Sequence, residues 1–238
     1  MERVQTGIDG LDNKIDGGYP SGRAILVAGT TGTGKTILGI HFIYQCCLEG
    51  KKCRIIATEE IPEDILMQSE SIGMPLNKFL ENGTLTIDKV YEERTWQTKE
   101  MMSFGIQKPD EMQSNILGLL DKVPEKTEIL LIDNIGVFTL NMSANEFRAQ
   151  FDSLIYTLSK RGITTMFVMD SAADDRMGGV ASYSVYGIIR TMIKDNPYTG
   201  ARERFLEILK IRNTTIPLNP FRFDITAKGI TLLKKETK

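Results

Sequence analysis

The chain is poor in the residues that build metal and disulfide sites. Its 238 residues include one histidine, His41, and three cysteines, Cys46, Cys47 and Cys53. No C-x-x-C spacing occurs, and a single histidine does not complete a zinc set with these cysteines. Free thiols in a reducing compartment are the expectation. Long apolar runs are also missing. No stretch approaches the ~20 apolar residues of a membrane span, and the opening "MERVQTGIDG" has no apolar signal core. A cytoplasmic protein with no membrane partner is expected. Neither sign of charge is in excess: Lys and Arg number 29, Asp and Glu 31, for a net charge of -2. That balance excludes a protein that coats nucleic acid through bulk charge. There is one tryptophan, Trp96, and no internal repeat or Pro/Ser-rich linker. One domain over residues 1–238 is expected.

What is present is a rhythm. Apolar runs alternate with helical patterns from "AILVAG" (Ala24 to Gly29) through "KTILGIHFIYQCCLEG", "CRIIAT", "PEDILMQSESIG", "TLTID", "EILLIDN" and "ITTMFVMD" (Ile163 to Asp170). Ala144 to Lys160 carries Phe147, Phe151, Leu154, Ile155 and Leu158 along one stripe. A further helix is expected over Asp110 to Lys122, a surface excursion over Lys89 to Lys108, and a polar loop over Ser171 to Tyr183. Beyond that loop the pattern becomes consecutive strands: "YGIIRTMIK", "RERFLEILKIR" and "FRFDIT…KGITLL". Strand–helix alternation followed by hairpins predicts an α/β fold. Its central sheet is mainly parallel, with helices on both faces and a C-terminal antiparallel extension.

"GTTGTGKT" (Gly29 to Thr36) fits G-x-x-x-x-G-K-[ST] and stands where that motif must stand, between a buried strand and an amphipathic helix. Its glycines let backbone N–H groups turn inward, and the helix start adds partial positive charge. The predicted phosphate cradle is Gly29, Thr30, Thr31, Gly32, Thr33, Gly34, Lys35 and Thr36, with Ile37 next to it. Lys35 is placed to reach the β- and γ-phosphates of ATP, and the Thr36 hydroxyl to ligate Mg²⁺. "ILLID" supplies a second metal-side group: Asp133 ends a buried strand on the edge where ligands sit in such sheets. Hydrolysis also needs a group that orients or deprotonates water. "IIATEE" ends in Glu59 and Glu60, which reach the γ-phosphate edge if their strand pairs next to the P-loop strand. The other reading is a solvated turn before Pro62, and spacing leaves both open.

Together these segments resemble the KaiC-like branch of the RecA superfamily of ATPases. The resemblance begins with "TGIDGLDNKIDGGYPSGRAILVAGTTGTGKT" (Thr6 to Thr36). It runs through "TEE", "LLIDN" and "SKRGITTMFVMD", and closes with "ILKIRNTTIPLNPFRFDITAKGI" (Ile208 to Ile230). It implies a hexameric ring with ATP between subunits and one of the paired glutamates as catalytic base. It also implies that Lys210 and Arg212 reach the γ-phosphate of the neighbour's nucleotide. Glu59 is the favoured base, with Glu60 tuning its pKa or holding the loop. Asn213 stands where the family has glycine. Asn tolerates a left-handed backbone, so the turn is expected to survive. The clock protein of this family has two such domains in tandem. No segment clearly matches its autophosphorylation sites; Ser182 and Ser184 are the candidates.

The resulting expectation is an ATP-hydrolysing ring protein that acts as a nucleotide-dependent switch or assembly factor on an unidentified protein client. Two other classes compete. A RadA-like recombinase would bind DNA through Ser171 to Tyr183, but Asp174 and Asp175 outnumber Arg176 there, so DNA is disfavoured. A nucleotide-binding scaffold that never hydrolyses would have no use for Glu59 and Glu60. His41 is expected to be a packed histidine, the Met-rich segment near Met101 adaptable packing, and Asp170 either a γ-phosphate sensor or a cap for its loop.

Overall fold

The computed structural model describes residues 1–90, 115–139, 142–170 and 175–233. Trp96, the Met-rich segment and most of the expected excursion lie outside them. Eleven strands are present among the described residues. A two-stranded ribbon pairs β1 (Arg3–Val4) with β2 (Tyr19–Pro20). The other nine form one sheet: β3 (Ala24–Gly29), β4 (Cys53–Ala57), β5 (Leu85–Asp88), β6 (Ile129–Asp133), β7 (Thr164–Asp170), β8 (Gly187–Asp195), β9 (Arg202–Ile211), β10 (Phe221–Thr226) and β11 (Gly229–Leu232). Their order is β11-β10-β9-β8-β3-β7-β6-β4-β5. From β5 to β8 all pairings are parallel; from β8 to β11 all are antiparallel. This is the expected α/β architecture with its antiparallel extension.

The inner parallel strands β3, β4, β6 and β7 are almost wholly buried, covered on both faces, which is why they read as nearly unbroken apolar runs. One core layer packs α1 (Lys35–Leu48), α2 (Pro62–Ser71), α3 (Asn77–Glu81) and the N-terminal segment against the sheet. The other face is covered by α4 (Ala144–Lys160), whose Phe147, Phe151, Leu154 and Leu158 are all buried. Ser143 caps α4 by accepting from the Glu146 N–H at 3.2 Å. Among the described residues no helix is long and apolar enough to cross a membrane.

Two expected elements are corrected. The helix over Asp110 to Lys122 is reduced, in its described part, to a 3₁₀ turn at Leu117–Lys122. Gly118 inside it and Pro124 just beyond both disfavour a longer α-helix. The polar stretch expected as a loop is instead helical over Asp175–Ser184 (α5). Met177, Ala181 and Val185, four residues apart, are all buried in the α4-side core, and that packing overrides Gly178 and Gly179.

His41 joins three parts of the chain. Its Nε2 accepts from the Ile230 N–H at 2.6 Å and its Nδ1 lies 2.9 Å from the Gly7 carbonyl oxygen. Because Nε2 accepts, Nδ1 carries the proton and donates, so the ring is neutral. Burial pushes the His41 pKa down. The cysteines are free and buried. Hydrogen bonds to Cys46 and Cys47, then burial, push the Cys53 thiol pKa up.

Candidate functional site

The P-loop follows β3 and enters α1 at Gly34, whose φ of 94° is left-handed and whose side of the helix has no side-chain cap. The first N–H groups of α1 are therefore left for a ligand. A Cβ on Gly34 would come within 2.8 Å of Ile225 Cδ1, and one on Gly29 within 2.4 Å of the Thr191 carbonyl and hydroxyl oxygens. Both glycines thus allow the loop to press against the antiparallel strands. Thr33 fixes it there: its hydroxyl donates to the Thr30 carbonyl at 2.7 Å and lies 2.8 Å from the Thr191 hydroxyl.

Four parallel strands end along one edge beside this loop. Gly29 registers with Asp170, and Ala57 with Asp133. The expected pairing of the glutamate-bearing strand with the P-loop strand does not occur, because β7 and β6 lie between β3 and β4. Glu59 and Glu60 reach the site nonetheless, since a cavity of about 320 Å³ runs along the edge. It is lined by Lys35, Thr36, Glu59, Glu60, Asp133 and Asp170, among others. Parallel strands align their carboxyl ends, so residues three strands apart share one crevice. A larger groove, about 800 Å³, lies by Lys14, Phe205, Phe221 and Leu232 and contains none of the P-loop.

The acids are individually held. Asp133 is hydrogen-bonded by Thr36. Burial raises the Asp133 pKa to about 6, the charges of Glu60 and Glu59 add to the rise, and the Thr36 bond and Lys35 oppose it. The Thr58 hydroxyl accepts from the Asn134 N–H at 2.6 Å and donates to the Asn134 carbonyl at 2.7 Å, locking the end of β4 to the end of β6. Asn134 Nδ2 then donates to Glu59 Oε2 at 3.2 Å, while its Oδ1 accepts from Gly136 at 2.7 Å. Glu60 accepts from Gln68 Nε2 at 2.6 Å. Burial, with Asp64 and Glu59 nearby, raises the Glu60 pKa against that bond. Glu59 is exposed and Glu60 half-buried.

Lys210 and Arg212 lie elsewhere. Both donate to carbonyls at the end of α5, Lys210 to Ser182 at 2.8 Å and Arg212 to Tyr183 at 3.3 Å, so they share a face as strand alternation predicts. Burial and then Arg212 lower the Lys210 pKa. Lys210 registers with Ile188, at the start of β8, whereas Gly29 registers with Thr191. The pair is therefore at the opposite end of β3 from its own P-loop. Asn213 has φ 54°, so the turn that glycine usually makes survives.

Several residues escaped sequence reasoning. Asn134 and Gln68 are ordinary amides until the fold brings them to the acids. Arg204 registers with Phe223, whose ring flanks Gly34, and its Nε is buried without a hydrogen-bond partner. Its only sequence signal is a position six residues before Lys210 on the same strand.

A family model described as the KaiC ATPase matches residues 4–237. This chain belongs to the KaiC ATPase family. The circadian clock oscillator protein KaiC of Prochlorococcus marinus is 31% identical over 242 residues, covering 98% of this chain and 46% of that protein. That of Synechococcus elongatus is 30% identical, with 98% and 44% covered. The chain thus spans about half the length of the KaiC clock proteins that it matches. A UPF0273 protein of Methanopyrus kandleri is similar over nearly its whole length: 29% identity, 97% of this chain and 91% of that one. A KaiC-like protein of Pyrococcus horikoshii shares the fold at TM-score 0.75 and 24% identity, with 98% and 99% of the chains covered.

Proposed function

We propose that this KaiC-family chain binds ATP with Mg²⁺ and hydrolyses it at the interface between copies in a ring, using turnover to switch its hold on a protein client. The observation that carries the reading is a single cavity. Lys35 and the uncapped start of α1 meet Thr36–Asp133 and two separately held glutamates there.

The residues fit a magnesium nucleotide. A carboxylate whose pKa is raised by burial, and further by the acids beside it, gains from a divalent cation. Among the described residues no cluster of three or more potential ligands could hold a metal by itself. That suits Mg²⁺, which keeps water and phosphate oxygens in its shell. Thr36 and Asp133 would hold it, and when bound it would neutralise charge on the phosphates. The chain's own groups do the rest. Lys35 and the N–H groups at the start of α1 bind phosphate. Glu59, aimed by Asn134, takes the proton of the attacking water. Glu60, held by Gln68, stands beside Glu59 and tunes it or holds the loop. Lys210 and Arg212, far from their own site, serve the neighbour's. The ring is supported by family membership and by this placement of the cations away from their own P-loop.

The test is Glu59→Gln together with Glu60→Gln, measured as phosphate release. Turnover should fall by about 10²–10⁴-fold while ATP still binds. Unchanged turnover would remove the catalytic assignment.

A further inference from the structure

Lys35 is already engaged. Its Nζ donates to the Thr30 carbonyl at 2.9 Å and lies 3.4 Å from Asp170 Oδ2. The same Oδ2 accepts from the Thr31 hydroxyl at 2.9 Å. One carboxylate therefore holds both the P-loop cation and a hydroxyl of the loop. The surroundings make this hold consequential. Among the described residues lining the cavity Lys35 is the one cation, set against the carboxylates of Glu59, Glu60, Asp133 and Asp170. The first three have work in the reaction proposed above. Asp170 enters none of its steps, yet it sits at the end of β7, in register with Gly29 where the P-loop begins.

Phosphate must draw Lys35 away from Asp170 or share it. Lys35 spans the β- and γ-positions in a P-loop, so a triphosphate claims more of it than a diphosphate. A triphosphate also brings further negative charge to an edge that already carries four acids, in a cavity that screens charge less than bulk water. Loss of the terminal phosphate lifts that repulsion and returns Lys35 to its carboxylate.

We propose that Asp170 is a built-in competitor of the terminal phosphate. It holds Lys35 and Thr31 against the phosphate and tilts the site from ATP toward ADP. The inference rests on the ATP reading and specifies which residue sets nucleotide preference at that site.

The test is calorimetric titration of the whole chain, wild type and Asp170→Asn, with ATPγS and with ADP in the presence of Mg²⁺. Asparagine keeps an oxygen for Thr31 and removes the charge. ATPγS affinity should rise about tenfold and ADP affinity about threefold or less, so that the preference shifts toward the triphosphate. Equal tightening for both ligands, no change, or weaker binding would each overturn the proposal. Weaker binding would mean that Asp170 positions Lys35 for the nucleotide. Thermal melting without nucleotide checks the fold. Should Asp170→Asn be unfolded, Asp170→Ser takes its place with the same expected shift. A wild-type chain that binds neither ligand would end the ATP reading and this inference with it. A wild-type chain that binds both, with an unaltered ratio in the variant, would end this inference alone.

Discussion

Lys35 and the Lys210–Arg212 pair are the cations of the proposed reaction, and the fold treats them in opposite ways. Lys35 is 9% exposed, sits at a helix start and is tied to Thr30 and Asp170 of its own chain. Lys210 and Arg212 are at the far end of the sheet, against the carbonyls that end α5. Among the described residues neither is paired with a carboxylate. A cation buried and paired beside its site can act within one chain. On the reading proposed above, cations parked on the negative end of a helix, away from any phosphate cradle of their own, would be presented to another copy of the chain.

The sharpest way to break this comparison is to separate the two regions onto different chains. Lys35→Ala should abolish turnover, and Lys210→Ala with Arg212→Ala should lower it by about 10³-fold. Mixing the two inactive proteins should restore activity at about a quarter of the interfaces, because the proposed ring would unite one chain's intact cradle with another's intact cations. Phosphate release from the mixture, with no recovery, would place both sets in one chain.

On the Lys35 side, His41 links the P-loop helix to β11 and the N-terminal segment. His41→Gln should lower stability by about 2–3 kcal/mol in urea unfolding, since two buried partners lose their bonds. The pH dependence has a definite sign. The folded pKa lies below the ordinary 6.5, so His41's contribution is complete above that pH. It declines as pH falls and the unfolded chain takes up the proton first. The wild type should therefore lose this increment below about pH 6.5, and His41→Gln should not.

Asp133 gives the smallest effect, with the opposite sign. Its folded pKa of about 6 lies above the ordinary 3.8, so the ionised form costs stability at neutral pH. That cost disappears as pH falls through this range. Asp133→Asn should stabilise the nucleotide-free protein by about 1–2 kcal/mol at pH 7.5 and by nearly nothing at pH 3.5. The same variant should lose ATP turnover. Melting curves at the two pH values would show it.

Much of the site is legible in the chain because its logic is local. The P-loop needs a strand, a glycine turn and a helix in succession, and "AILVAGTTGTGKT" supplies all three within a few residues. Asp133 and the glutamate pair are legible as strand ends. Their partners are not. Which strand lies beside which is decided by how helices cover both faces, so the insertion of β7 and β6 between β3 and β4 has no signature in the spacing of "IIATEE". Nor does the helix over Asp175–Ser184, where two glycines argue for a loop and burial of Met177, Ala181 and Val185 prevails.

The sequence by itself determined the α/β class, the phosphate cradle and the run of acids, because each depends on residues near one another along the chain. Only the tertiary structure decided that Asn134 holds Glu59 and Gln68 holds Glu60. It alone set Lys35 against Asp170 and placed Lys210 and Arg212 out of reach of their own nucleotide site. Those relations link residues 8 to 135 positions apart, or depend on the register of strands in the sheet. They arise when buried strands choose their neighbours, and no local pattern encodes that choice.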